Sequence, residues 1–124
     1  MSHPAQVISR KTESAIAKHL IAAVGTEPHG ATLATGTNTP IGVCYQPGTC
    51  EVGDVVDIIE VGTADVLCGG SVAAGDIVGA DATGKAVKVT SGVALGIALT
   101  AGTEGDIAEV RIAPHLTGAA AASA

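Results

Sequence analysis

The sequence predicts an all-β protein, a small β-sandwich or β-barrel, and two observations support this fold class. Short apolar and β-branched segments recur about every 8–12 residues with Gly- and Asp-rich turn signals between them, which is the pattern of a sandwich or barrel. In addition, residues 20–62 resemble residues 76–114. Both contain an apolar strand, a Gly turn, a second strand, an apolar-Gly-apolar phrase, a Gly-Thr turn and a final strand after Gly-Asp. We therefore predict one domain built from two related β units.

The spacing of the matching residues supports this internal repeat. Ile41-Gly42-Val43 matches Leu95-Gly96-Ile97 at an offset of 54 positions, and Gly53-Asp54 matches Gly105-Asp106 at an offset of 52. A third Gly-Asp pair is Gly75-Asp76, and each pair precedes a strand, where Gly supplies a positive φ and Asp satisfies nearby backbone donors. We therefore interpret these aspartates as turn residues and not as metal ligands.

The elements predicted along the chain are mostly short strands. Residues 13–18 are predicted as a helical turn, because Ile16, Leu20 and Val24 have helical spacing. Residues 19–24 are predicted as a strand, because the repeat matches Leu20–Val24 to the strand that opens the second unit. Residues 81–85 read as the loop of a hairpin. The remaining predicted strands are Ala31–Thr35, Ile41–Tyr45, Val55–Val61, Asp65–Cys68, Ile77–Ala80, Ala86–Thr90, Val93–Leu99 and Asp106–Ile112.

The chain divides into three predicted parts. Residues 1–18 form an N-terminal arm that is extended or partly helical, residues 19–116 form a single all-β domain, and residues 117–124 form a flexible, low-complexity tail. The 124 residues include no Phe or Trp and only one Tyr, so the core must consist of Val, Ile, Leu and Ala. So little aromatic surface, together with a net charge of −6, argues against direct nucleic-acid binding.

The basic residues are concentrated at the N-terminus. Residues 1–19 carry Arg10, Lys11 and Lys18 against Glu13 alone, whereas residues 20–124 carry three basic and eleven acidic residues. An ordinary solvated terminus would account for this distribution. An arm that binds an acidic partner surface would also account for it, with Arg10, Lys11 and Lys18 as the contacting residues.

Three cysteines, Cys44, Cys50 and Cys68, are interpreted as buried free thiols. Their number is odd, their spacing is not that of a zinc site, and no secretory signal is recognisable, which together indicate synthesis in a reducing cytoplasm. No segment approaches the ~20 apolar residues needed to span a bilayer, so we expect no membrane contact.

No set of residues predicts catalysis or cofactor binding. Residues 79–85 fit the first seven positions of a phosphate-binding loop, but the eighth is Ala86 and not Ser or Thr, and a strand is predicted where the motif requires a helix. The four histidines and six serines show no spacing typical of a metal site or a nucleophile elbow. We therefore predict that the protein is not an enzyme and carries no metal or cofactor.

A second motif indicates an alternative function. Residues 51–61, EVGDVVDIIEV, resemble the scaffold of biotinyl and lipoyl carrier domains, which are also small duplicated β structures. Carrier domains attach their cofactor to a lysine on an exposed hairpin, and residues 61–65, which directly follow Glu60 here, include no lysine. A carrier or ligand-binding β module of this hammerhead type is the alternative function.

The C-terminal part of the chain resembles the capsid cement, or head decoration, proteins of tailed bacteriophages. The resemblance covers residues 69–114 and lies mostly in turn residues. The matching phrases are Gly69-Gly70, Val72–Asp76, Asp81–Val87, Gly96–Leu99 and Ala101–Asp106.

This resemblance implies a structural virion protein made in the host cytoplasm. Such a protein would bind the outer surface of the viral head and stabilise contacts among major capsid protein subunits. It would form a homo-oligomer, with a trimer favoured and a dimer possible. The partner would be the major capsid protein, contacted in part by the arm over residues 2–19.

Overall fold

The computed structural model describes residues 6–28, 30–36, 38–45, 49–89 and 92–117. Every regular element among these residues is a β-strand, which confirms the all-β prediction. The described residues include no helix that could cross a lipid bilayer. The strands are β1 (Gln6–Thr12), β2 (Ile16–Ala17), β3 (Ile21–Val24), β4 (Gly30–Leu33), β5 (Pro40–Cys44), β6 (Thr49–Cys50), β7 (Val55–Leu67), β8 (Ile77–Ala80), β9 (Ala86–Lys88), β10 (Gly92–Ala98) and β11 (Ile107–Thr117).

Strand β7 is shared between two groups of strands and divides the fold into two units. We call residues 6–61 unit 1. Its strands pair in the order β1-β4-β3-β5-β7, and β1 also pairs with the first half of β7, which closes the ring. The β1–β4 pair is parallel and the other pairs of this ring are antiparallel. Unit 1 is therefore a closed barrel of five strands.

Residues 62–117 form unit 2, whose strands pair in the same order as those of unit 1. The second half of β7 pairs with β11, and the sheet continues through β10, β8 and β9. Strands β11-β10-β8-β9 thus correspond to β7-β5-β3-β4, with the same antiparallel partners. The register corresponds too, because Ile21 opposes Val43 and Ile77 opposes Ile97. The chain is built from two related β units.

The predicted N-terminal arm is extended, but it is a strand of the barrel. β1 occupies in unit 1 the place that residues 62–68 occupy in unit 2. Thr12 pairs in parallel with Ala31, and a parallel bridge joins the corresponding residues Cys68 and Ala86. Without β1, the facing edges of β4 and β7 would be left unpaired. The repeated unit therefore begins near residue 6, and the boundary predicted between residues 18 and 19 does not separate an arm from the domain.

Two other local predictions differ from the structure. The helical turn predicted at 13–18 is absent; Ile16 is fully buried in β2, which pairs with β6, so burial and ladder hydrogen bonds outweigh helical spacing. The strand predicted at Asp65–Cys68 is the second half of β7, because Gly62, with φ 102°, lets the strand bend without ending. Residues 1–5 and 118–124 of the predicted arm and tail lie outside the described residues, and Thr117 ends β11.

Two buried apolar clusters stabilise the fold. One lies inside unit 1 and includes Ile16, Cys44 and Ile58. The other fills unit 2 and also takes in Ile21 and Val43, which lie on the opposite face of the unit 1 strands. Unit 2 therefore packs its interior against the outside of unit 1, and each fully buried Ile or Val contributes roughly 1.5–3 kcal/mol.

Candidate functional site

Arg10, the first of the predicted contact residues, is held by an ion pair within unit 1. Its Nε lies 2.5 Å from Oε2 of Glu60, and its Nη2 lies 3.2 Å from Oε1 of the same carboxylate. The side chains are only 24% and 17% exposed. The hydrogen bond to Glu60 raises the pKa of Arg10 above its ordinary value, although desolvation opposes this. The Arg10 charge is thus balanced inside the molecule and is not presented to a partner.

Lys11 and Lys18 are exposed, but they lie in two different places. Lys11 lines a groove of about 500 Å³ at one end of unit 1, beside Pro28 and Val52. The Nζ atom of Lys18 lies 5.8 Å from the ring centroid of Tyr45, a cation–π contact worth ~0.5–1 kcal/mol at an exposed site. The structure therefore does not gather the three predicted residues into one basic arm.

A polar notch of about 230 Å³ lies where unit 1 meets unit 2. Its apolar floor includes Val43 and Ile59. Its polar wall combines cationic, anionic and hydroxyl groups, so it can bind a polar group through several hydrogen bonds. The polar residues of the notch are Lys18, His19, Tyr45, Thr63, Asp65 and Glu109.

His19 joins the two units across this notch. Its backbone N–H donates to the carbonyl oxygen of Cys44 at 3.0 Å, and its own carbonyl oxygen accepts a hydrogen bond from the N–H of Leu67 at 3.0 Å. Its Nδ1 lies 3.1 Å from the carbonyl oxygen of Asp65, so this nitrogen carries the proton and donates it. The ring thus links unit 1 to the second half of β7.

The sequence analysis assigned no role to His19, although the repeat contained a signal. Residues 20–24 match 76–80 at an offset of 56, and the same offset aligns His19 with Gly75. Among the described non-glycine residues, His19 is the one with a positive φ, 74°, and Gly75 has a φ of 93°. A histidine where the other unit uses glycine indicates that the side chain is needed there.

A second exposed surface lies on unit 2. Along the end of β10 and the residue after it, the buried Gly96 and Ala98 alternate with Ile97 and Leu99, which are 37% and 43% exposed. Register places Ile97 between Ile77 and Arg111. We call this surface the outer face of unit 2. Its members are Asp65, Ile77, Ile97, Leu99, Ile107, Glu109 and Arg111.

The three Gly-Asp turns have the structural role predicted for them. Asp54, Asp76 and Asp106 each accept a hydrogen bond from the backbone N–H three residues earlier, at 2.9–3.0 Å. The preceding glycines all have φ near 90°. Hydrogen bonds from the Thr103 backbone and hydroxyl lower the pKa of Asp106, although desolvation opposes this. Among the described residues, no group of three or more His, Cys, Asp or Glu could hold a metal ion.

The loop that partly fits a phosphate-binding motif forms the β8–β9 turn. Strand β9 follows it where the motif needs a helix. The N–H groups of Thr83 and Lys85 donate to Asp81 of the same turn at 2.8 and 3.0 Å. Desolvation raises the pKa of Asp81, but these bonds, the Thr83 hydroxyl and the Lys85 charge outweigh it, so the pKa is lowered. The turn's donors therefore hold its own carboxylate and are not left for a phosphate.

The three cysteines are buried thiols outside any disulfide bond, as predicted. Cys44 and Cys50 lie in the cluster inside unit 1, and Cys68 lies in the cluster of unit 2. Burial, with a smaller effect of nearby aspartates, raises the pKa of both Cys50 and Cys68. A raised pKa makes a thiol a poorer nucleophile at neutral pH, so these side chains act as small core residues.

No protein-family model and no curated protein matches the chain. A search of solved structures found a likeness to the crystal structure of the head fiber gp8.5 N base in bacteriophage phi29. The TM-score is 0.69 at 18% sequence identity, and the match covers 89% of this chain and 95% of that chain. At this identity the comparison shows a shared fold, and it spans both units.

Proposed function

We propose that the protein is a structural virion component that binds the outer surface of a tailed-phage head and stabilises contacts among major capsid subunits. The observation that carries the proposal is the fold likeness to a phage head fiber base along almost the whole length of both chains. The resemblance of residues 69–114 to head decoration proteins supports the same class of protein independently. In this role the protein performs no reaction and is located on the virion after synthesis in the bacterial cytoplasm.

The physical basis of such a role is linkage. A protein that binds the assembled shell and not its free subunits stabilises the shell by mass action. Each copy needs only a modest contact, because many copies repeat it around the shell. Asp76 and Asp106, which belong to the phrases that carry the sequence resemblance, are held in turns. These two carboxylates are therefore not candidates for the capsid contact.

Lys11 and Lys18 are the candidate cations for the capsid contact. Both are exposed, and neither forms an ion pair within 4.0 Å in the described part of the chain, in contrast to Arg10. The rest of the chain is strongly acidic, so these two lysines are points where an acidic capsid surface could approach with little repulsion. We do not propose Arg10 as a capsid contact, because its charge is paired with Glu60.

Co-sedimentation with purified phage heads tests the proposal. We expect the protein to pellet with heads at a fixed stoichiometry to the major capsid protein, and to raise the temperature at which the heads release DNA. Lys11→Glu and Lys18→Glu should each weaken binding, whereas Lys88→Glu, with the same charge change on β9, should not. A protein that stays in the supernatant with heads of its own phage would refute the proposal.

The carrier alternative finds no support in the hairpin lysines. Lys85 is partly buried at the end of the β8–β9 turn, and its N–H donates to Asp81. Lys88 lies on β9 with its Nζ 3.9 Å from Oδ1 of Asp76. Neither lysine is at the tip of a hairpin. A covalent mass increase on Lys85 or Lys88 in protein purified from the host would revive this alternative.

A further inference from the structure

We propose that the outer face of unit 2 is the surface on which a second copy of this chain docks. The inference does not depend on the proposed function, since it rests on the internal repeat and on the charges of this face. The sequence resemblance implies a homo-oligomer but does not indicate which residues join the copies. The outer face of unit 2 is a specific candidate for that interface.

The strongest argument is the contrast between equivalent residues of the two units. In unit 1 the row Ile21, Val43 and Ile59 is only 0%, 1% and 6% exposed, because unit 2 packs against it. Register places Ile77, Ile97 and Arg111 at the equivalent positions of unit 2, as the row that runs across β8, β10 and β11. No described part of the chain covers this second row. A face that is a packing surface in unit 1 is thus presented to solvent in unit 2.

This face exposes several large aliphatic side chains to water, which is unfavourable unless a partner covers them. Ile97, Leu99 and Ile107 are 37%, 43% and 44% exposed, and Ile77 is partly exposed. Ile77, Ile97 and Ile107 come from β8, β10 and β11, which are neighbours in one sheet, and Leu99 directly follows β10. Contiguous exposed aliphatic surface of this kind marks interaction sites in soluble proteins.

The charges on the face indicate what covers it. Arg111 and Glu109 lie two residues apart on β11, and Glu109 opposes Asp65 of β7. In the described chain none of the three forms an ion pair within 4.0 Å. An acidic partner would be repelled by Asp65 and Glu109, and a basic partner by Arg111. A second copy presents both signs, so each Arg111 can meet the acidic residues of the other copy while the isoleucines and leucines pack together.

Sedimentation velocity over a range of protein concentrations tests this surface. We expect the wild-type chain to associate reversibly, and Ile97→Glu or Leu99→Glu to weaken association at least about tenfold, which is ~1.4 kcal/mol. Val52→Glu replaces a more exposed apolar residue of unit 1, 68% exposed, and should leave association unchanged. Far-UV circular dichroism and thermal unfolding verify that each variant is folded.

A charge exchange makes the test specific for a second copy. Arg111→Glu should weaken association, and adding Glu109→Arg in the same chain should restore most of it, because the complementary pairs re-form between copies. A wild-type chain that stays monomeric at its highest soluble concentration would overturn the inference, as would association that Ile97→Glu leaves intact. If wild-type and Ile97→Glu chains are both monomeric but only wild type pellets with heads, the capsid occupies this face and the inference fails while the proposed function stands.

Discussion

His19 and Gly75 occupy the same position in the two units, and both have a positive φ, 74° and 93°. The surrounding hydrogen bonds correspond as well: the N–H of His19 donates to Cys44 and that of Gly75 donates to Ala98. A left-handed conformation costs a non-glycine residue roughly 1 kcal/mol, so unit 1 bears a cost that unit 2 avoids. The imidazole bond to Asp65 offsets that cost and links the units.

The strain at His19 predicts that a glycine variant is more stable than an alanine variant, which is the reverse of the order expected at a residue without positive φ. His19→Ala should destabilise the protein, because it loses the ring bond and keeps the strain, whereas His19→Gly should be about 1 kcal/mol more stable than His19→Ala. Urea unfolding monitored by circular dichroism measures both. Ala17→Gly, in β2 at a residue without positive φ, is the matched control and should be destabilising. Equal stabilities for His19→Ala and His19→Gly would contradict the strain.

We predict that close packing of the β8–β9 turn of unit 2 against unit 1 contributes to stability. Gly84 has a φ of 83°, and a Cβ atom there would lie 2.5 Å from Cδ1 of Leu33 in unit 1. Gly84→Ala should therefore cost about 2–4 kcal/mol through strain and a steric clash. Gly53→Ala has a similar φ of 91° but open space around it, so it should cost only about 1 kcal/mol. Thermal unfolding of both variants gives the comparison, and equal losses would show that the Leu33 contact is relieved without cost.

The Arg10–Glu60 pair is predicted to act in stability rather than in partner binding. Arg10→Ala should lower the free energy of unfolding by about 1–3 kcal/mol, because Glu60 would be left partly buried without its partner. Lys11→Ala, one residue away and exposed, should change it by less than about 0.5 kcal/mol. Chemical denaturation measures both. If Arg10→Ala were neutral for stability yet reduced head binding, the sequence-based role for Arg10 would be right after all.

Acid should loosen the β3–β4 loop through Glu13. The backbone N–H groups of Thr26 and Glu27 and the Thr26 hydroxyl bond to its carboxylate and lower its pKa below the ordinary 4.5, although desolvation opposes this. Because the folded pKa lies below the unfolded one, this contribution to stability is present above pH 4.5 and is lost as pH falls through the lower, folded value. Glu13→Gln should therefore lose less stability than wild type between neutral pH and pH ~3. Amide hydrogen exchange at residues 25–27 measures the loosening, and identical acid profiles for the two proteins would exclude Glu13 as its cause.

Local patterns in the sequence determined the strands, their turns and the existence of two related units. Alternating apolar residues and Gly-Asp turns act over a few neighbouring residues, so the hairpin at 81–85 and strand β8 at Ile77–Ala80 were predicted with their observed bounds. That the cysteines are thiols and not disulfides followed from their number and spacing in the same way.

Only the tertiary structure decided which of these segments meet. Arg10 pairs with a carboxylate 50 residues away, and β1 closes the barrel by a parallel pairing with β4, so neither relationship leaves a local signal. The phrases around Val43 and Ile97 look alike in sequence, yet one is covered by the other unit and the other faces solvent. Burial depends on which faces the completed fold brings together, and two copies of one pattern within a single chain cannot occupy the same environment.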